Sequence, residues 1–346
     1  MIRSVFCSDK LRLVIRRHNS TVVNKTIASI NENTEAFPYQ TVLNDFFQYI
    51  RTPKNLKPLI YRPKNKNLLF AMDLKDKKTN KPLQPRDPFK VPSKSVLTQF
   101  IWESKDPSSI KWLINELEHL NNRKSIFWTD YFSGTHVRSL ILSSYFKHSG
   151  VLSSLAFYFV NSALRTKFVQ NKNKTNIGNV YNMEDYLVPS YTVRLSKKNI
   201  FNCEPNVSKL VHQWNFVKDS NETTGLAKLL IKQLLGEKKA LELGFIKKWK
   251  DDVTLPTIDV VETSLGKCAD YLHKQKSVFF TCRTLIDSGL QDNKEISRFI
   301  EEYKACLAKT KRVDLYDEVV NNLKISHENI QKEGNKNEQK EPEKSG

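Results

Sequence analysis

The amino-acid sequence predicts a mainly α-helical protein, an irregular helical-hairpin bundle with an extended, basic, proline-rich N-terminal arm. Three observations carry this. Ten glycines in 346 residues are few, and tight β-hairpins and phosphate loops both require glycine at fixed places. Beyond Ser93 the apolar residues recur with a helical period. Ile110, Leu113, Ile114, Leu117 and Leu120 form one stripe, the pattern of an amphipathic helix. Finally, seven of the thirteen prolines fall between Arg51 and Lys94: Pro53, Pro58, Pro63, Pro82, Pro85, Pro88 and Pro92. Proline fixes φ and lacks a backbone donor, so no regular helix is expected to run through that stretch.

In chain order, residues 1–20 read as a removable leader and residues 21–92 as the arm, with one short helix at Tyr39–Tyr49 burying Val42, Leu43, Phe46 and Phe47. A short strand is expected at Leu68–Met72. The helical body spans residues 93–333. Ser93 or Ser95 can cap its first helix, and Asp106-Pro107 is a cap followed by proline at the first helical position. Residues 135–147 and 151–168 predict a helical hairpin turning at Ser149-Gly150, with Leu140, Ile141, Leu152, Leu155, Phe157 and Phe159 contributing to the core. Residues 169–205, rich in Asn and Lys, read as a surface loop with a short strand at Tyr191–Leu195. Further helices are expected at 206–217, 222–249, 257–274, 276–288, 293–309 and 313–331. Residues 334–346 hold no apolar side chain and are expected to be disordered. No fixed period repeats, which argues against a true repeat solenoid.

The charge balance is unusual. There are 56 Lys and Arg against 37 Asp and Glu, a net charge of +19. Such an excess points to a polyanionic partner, a removable basic leader, or both. Residues 1–20 support the second reading. Arg3, Lys10, Arg12, Arg16 and Arg17 face one acid, Asp9. On a helix, Ile2, Phe6 and Leu13 gather near one side while Arg3, Lys10 and Arg17 form another stripe. A basic amphipathic helix poor in acid has the make-up of a mitochondrial presequence, whereas Lys10 and Arg12 interrupt the apolar core that a secretory leader needs. The expected destination is the mitochondrial matrix. No apolar run is long enough to span a bilayer.

Sites of chemistry are hard to find. The five cysteines, Cys7, Cys203, Cys268, Cys282 and Cys306, show no C-x-x-C pair and read as packed thiols rather than a metal site. There is no Walker A, G-x-G-x-x-G, H-E-x-x-H or G-x-S-x-G motif. Ser144–Lys147 matches S-x-x-K without its companion motifs. None of the seven histidines is spaced from a second ligand as a metal face requires. No catalytic residue, metal, cofactor or small-molecule substrate is expected, and an enzyme acting on RNA would need clustered carboxylates or a His/Lys pair that the sequence does not show.

The arm is the exception. It holds thirteen basic residues and three Asp between Arg51 and Lys94. The cations are Arg51, Lys54, Lys57, Arg62, Lys64, Lys66, Lys75, Lys77, Lys78, Lys81, Arg86, Lys90 and Lys94, with Tyr61, Phe70 and Phe89 interleaved. An extended basic chain can follow a phosphate backbone and its rings can stack on unpaired bases. The spacing carries no base code, so the contact would be positional. A solvated linker or an acidic protein surface are the other readings.

Taken together, the Arg-rich leader ending near Arg16-Arg17, the basic Pro-rich arm at Arg51–Lys94, the helical body and the charged tail resemble the fungus-specific proteins of the mitochondrial ribosomal small subunit. The resemblance implies a structural component with mitochondrial rRNA and other mitochondrial ribosomal proteins as partners, and it transfers no individual residue. A mitochondrial mRNA-binding translation or RNA-stability factor with an α-solenoid body is the alternative.

Overall fold

A computed structural model describes residues 38–75, 80–121, 127–148, 184–215, 225–245, 253–290 and 293–338. The described residues are helical, and the only β pairing among them is an isolated antiparallel bridge between Lys75 and Pro82. The N-terminal part comprises α1 (Pro38–Arg51), α2 (Lys57–Ile60), a 3-10 turn (Pro63–Asn65) and α3 (Lys66–Ala71). Then come α4 (Lys94–Glu103), α5 (Pro107–Asn121), a π-helical turn (Phe127–Tyr131) and α6 (Gly134–Phe146). The remainder is α7 (Glu184–Phe201), α8 (Val207–Asn215), α9 (Leu226–Leu235), α10 (Glu237–Glu242), α11 (Leu265–Asp287), α12 (Lys294–Lys309) and α13 (Tyr316–Glu338).

Two starts follow the expected capping chemistry. Ser93 precedes α4 and accepts from the Ser95 amide at 3.3 Å. Asp106 accepts from the Ser108 amide at 2.9 Å, with Pro107 opening α5. The stripe Ile110, Leu113, Ile114, Leu117 and Leu120 is fully buried.

The centre of the bundle is α7, which packs against α6, α9 and α11. This corrects the expected surface loop where it falls on residues 184–201, and the strand at 191–195; residues 169–183 of that loop lie outside the described residues. Tyr186, Leu187, Val188, Tyr191, Val193 and Leu195 are all buried, so over residues 184–196 the helix is covered nearly all round and displays no one-sided period. Pro189 sits inside it, removing one backbone donor. Buried hydroxyls complete its faces. Thr192 donates to the Val188 carbonyl at 2.8 Å and lies 3.0 Å from Thr281 of α11, while Tyr145 of α6 donates to Ser196 at 3.2 Å.

Other boundaries also shift. The strand expected at Leu68–Met72 is α3 and its following turn. Regular turns form among the prolines because Pro58 and Pro63 occupy first-turn positions, where the missing donor has no partner to lose. The helix expected over 222–249 is broken at Gly236, whose φ of +81° ends α9. The two helices expected over 257–288 are one, α11, starting at the Ser264 cap. The last helix continues to Glu338, into the stretch read as a disordered tail. In α1, Leu43, Phe46 and Phe47 are buried as expected but Val42 is 43% exposed. The leader, the second half of the hairpin with Leu152, Leu155, Phe157 and Phe159, and Cys7 lie outside the described residues.

Candidate nucleic-acid interface

The basic segment is a folded apron laid on the body. Its floor is a small core of Ile60, Tyr61 and Leu69, flanked by Tyr49, Leu56, Leu59, Leu74, Leu83 and Phe89. Phe89 joins this core to the main one, lying 4.2 Å from Tyr49 and 5.8 Å from Phe46 between ring centroids. Phe46 in turn meets Tyr131 at 4.6 Å, and Phe47 meets Phe127 at 5.7 Å. Backbone bonds fix the loop above this floor. Arg86 donates to the Ile60 carbonyl and Leu83 to the Leu74 carbonyl, each at 2.7 Å. These bonds, with the bridge from Lys75 to Pro82, tie residues 74–75 to 82–83 and Arg86 to Ile60, so the described part of the segment is not a free extended arm.

The predicted contact residues therefore divide. Lys54, Arg62, Lys64, Lys66, Lys75, Lys81 and Lys90 are exposed on the outer side. Arg86 is also exposed, 3.5 Å from Asp45, and Lys94 lies 3.4 Å from Asp130. Arg51 instead turns inward and forms an ion pair with Glu116 of α5. Lys57 stands over the Tyr49 ring at 4.0 Å; partial burial, then the charge of Lys54, lowers its pKa. Lys77 and Lys78 lie outside the described residues. The rings divide as well. Tyr61 is only 8% exposed and meets Tyr49 edge-on at 5.0 Å, so it belongs to the floor rather than to a stacking surface. Phe70 is 49% exposed, with Lys66 at 5.9 Å from its centroid, and is the ring available to a base.

The body's titratable groups are mostly structural. His136 is buried and its Nδ1 accepts from the Ser133 amide at 2.9 Å, so Nε2 carries the proton that it donates to the Lys94 carbonyl at 2.9 Å. Burial, helped by the charge of Lys94 and opposed by the Lys94 carbonyl bond, pushes its pKa down to about 4. In the S-x-x-K motif, Lys147 donates to the Trp102 carbonyl and, at 3.0 Å, to that of Ser104. It thereby caps the C-terminus of α4. Cys268, Cys282 and Cys306 are buried free thiols. Among the described residues no group of three His, Cys, Asp or Glu side chains could hold a metal ion, and no helix is long and apolar enough to cross a membrane.

Comparison with known families finds two matches along the chain. Residues 14–103 match the MRP13-like N-terminal domain and residues 108–339 match the MRP13-like C-terminal domain. The first match takes in the apron and α4, and the second runs from α5 to the end of α13. The chain belongs to the MRP13-like family of mitochondrial ribosomal proteins.

Proposed function

We propose that the protein is a structural component of the mitochondrial ribosomal small subunit in the matrix, reached by means of the N-terminal leader. In this reading the apron lies on rRNA, and the helical body holds neighbouring ribosomal proteins. The observation that carries it is the division of the apron. Seven of its cations, Lys54, Arg62, Lys64, Lys66, Lys75, Lys81 and Lys90, are exposed, as is Phe70, while Tyr61 and Phe89 are folded into a floor. Such a surface meets phosphates at a fixed spacing and gains little from base identity. The small subunit is the one implied by the resemblance of leader, arm, body and tail.

The test is co-sedimentation across a salt series with the chain carrying Lys54, Lys64, Lys66 and Lys75 changed together to Ala. If about six cations touch single-stranded phosphate, log K falls against log salt with a slope near −4, and each contact removed flattens it by about 0.7. The variant is expected to leave the small-subunit fraction at lower salt than the wild type. Wild-type occupancy of the variant in high salt would refute the apron as the grip. Sub-stoichiometric, salt-labile association of the wild type would favour an mRNA-binding factor.

A further inference from the structure

Far from the apron in sequence, a cleft of about 300 Å³ opens between the end of α4, the middle of α11, α12 and the loop leading to α13. Two of its groups are cationic hydrogen-bond donors with capacity to spare. Lys276 stands 4.8 Å above the Trp102 ring, and among the described residues it has no acidic partner within ion-pair distance. Arg312 likewise has none, and it spends one N–H on His273 Nε2 at 3.0 Å. The indole N–H of Trp102 is buried without an acceptor. Of the two acids in the lining, Asp314 is engaged with Arg283 at 3.0 Å, which leaves the exposed Glu103.

The remaining wall is apolar: Leu272, Phe279, Tyr303 and Leu307. At the rim Val313 is 74% exposed. Lys311, in the left-handed region at φ +53°, turns the chain at the end of α12 immediately before Arg312. A non-glycine residue there is strained by about 1 kcal/mol, and the turn sets the guanidinium at the mouth.

We propose that this cleft is a nucleotide pocket, taking one phosphate on Lys276 and Arg312 and the attached nucleoside against Leu272, Tyr303 and Leu307. Two cations on separate elements suit a tetrahedral anion. A planar carboxylate favours an open guanidinium fork, and Arg312 has already committed part of its own to His273. The volume exceeds that of a phosphate alone and lies at the lower end for small-ligand sites, about 300 Å³. The pocket extends the RNA-binding reading to a second place on the molecule, and rests on it only for the source of the nucleotide: a residue extruded from an RNA strand, or a free mononucleotide.

Pyridoxal 5′-phosphate tests the pocket directly, since it carries both a phosphate and an amine-reactive aldehyde. The Lys276 amine adds to the aldehyde, water leaves, and borohydride reduces the resulting imine to a stable secondary amine. Burial, then the charges of Lys147 and Arg312 against that of Glu103, bring Lys276 down to about 8. At pH 7 its labelling, mapped by peptide mass spectrometry on the full chain, should exceed that of exposed lysines by roughly tenfold or more. Saturating AMP or a short single-stranded RNA should slow it by about tenfold, and hexaglutamate should not. Protection by RNA alone assigns the strand as source, and protection by AMP alone assigns the free mononucleotide. Arg312→Gln and Val313→Glu, both at exposed positions, should weaken protection while leaving the melting curve unchanged. The apron variant should retain AMP protection, so the apron reading can fail without the pocket. Labelling of Lys276 at the bulk rate, or protection by hexaglutamate and not by nucleotide, overturns the proposal.

Discussion

Lowering the pH from 7 to 5 should destabilise this protein through His136, and the size of the effect follows from its surroundings. The ring is 1% exposed and both nitrogens are used, Nδ1 as acceptor from Ser133 and Nε2 as donor to Lys94. A second proton would have to enter at Nδ1, against an amide already pointing at it. The folded pKa of about 4 lies below the ordinary 6.5, so between these values the unfolded chain binds a proton that the folded chain refuses. Stability from this group is therefore present above about pH 6.5 and lost as the pH falls towards 4. Between pH 7 and pH 5 the loss is about 2 kcal/mol, at about 1.4 kcal/mol per pH unit over most of that interval. Other groups titrate too, His148 among them, which is also pushed to about 4, chiefly by burial. The comparison is therefore between the wild type and His136→Gln, each unfolded in urea at both pH values. The variant should be less stable at pH 7 but lose about 2 kcal/mol less on acidification. An equal loss in both proteins would refute the neutral, doubly bonded histidine.

Three further outcomes test packing and import. Gly134→Ala should destabilise by about 1–3 kcal/mol as an overpacking change, because a Cβ at this first residue of α6 collides with the Asp185 carboxylate of α7; melting temperature reads it. Leu140→Ala should cost roughly 2–5 kcal/mol, since Leu140 is fully buried in α6, and a loss within error would mean that the site collapses around the gap. Changing Arg12, Arg16 and Arg17 to Glu should leave the protein outside mitochondria, as fractionation would show, because a presequence is selected for positive charge; normal import would dismiss the leader.

How much the sequence disclosed depended on how many sides of an element are covered. Helix α5 borders solvent on one side, so its stripe and its Asp106-Pro107 start were plain. Over residues 184–196 helix α7 has no solvent face to set a period, and its Pro189 and buried Ser190, Thr192 and Ser196 look like loop residues when read locally. The apron failed in the opposite direction. Proline density argued for a free strand, but Pro58 and Pro63 fall where helices accept them, and Tyr61 found a partner in Tyr49 rather than in a base. The cleft was not legible at all. Trp102, Lys276 and Arg312 belong to no motif and meet only when α4, α11 and the α12–α13 loop are packed. Lys276 gave no local signal either, because it sits among His273, Lys274, Gln275 and Ser277, an ordinary polar run between Leu272 and Phe279.

The two family domains meet between residues 103 and 108, yet the hydrophobic core does not divide there. Helix α1 packs on α4 and α5, and α4 packs on α6 and α11. Phe46, Phe47 and Phe100 are fully buried within one cluster that runs from Leu43 to Val320, and Arg51 is paired with Glu116 across the boundary. Cutting the chain there would expose these three rings, at roughly 1.5–3 kcal/mol each. The sum approaches the whole stability of an ordinary domain, about 5–15 kcal/mol. Residues 1–103 expressed alone should therefore aggregate or melt without a cooperative transition, and co-expression with residues 104–346 should recover a soluble pair. The same continuity matters for binding. An apron anchored through Phe46 and Phe89 carries its described cations on a backbone already folded, so the entropy of ordering that backbone falls on folding rather than on RNA association. A soluble, cooperatively melting fragment of residues 1–103 would mean that the apron folds without the body, and its fixed orientation would then need another cause.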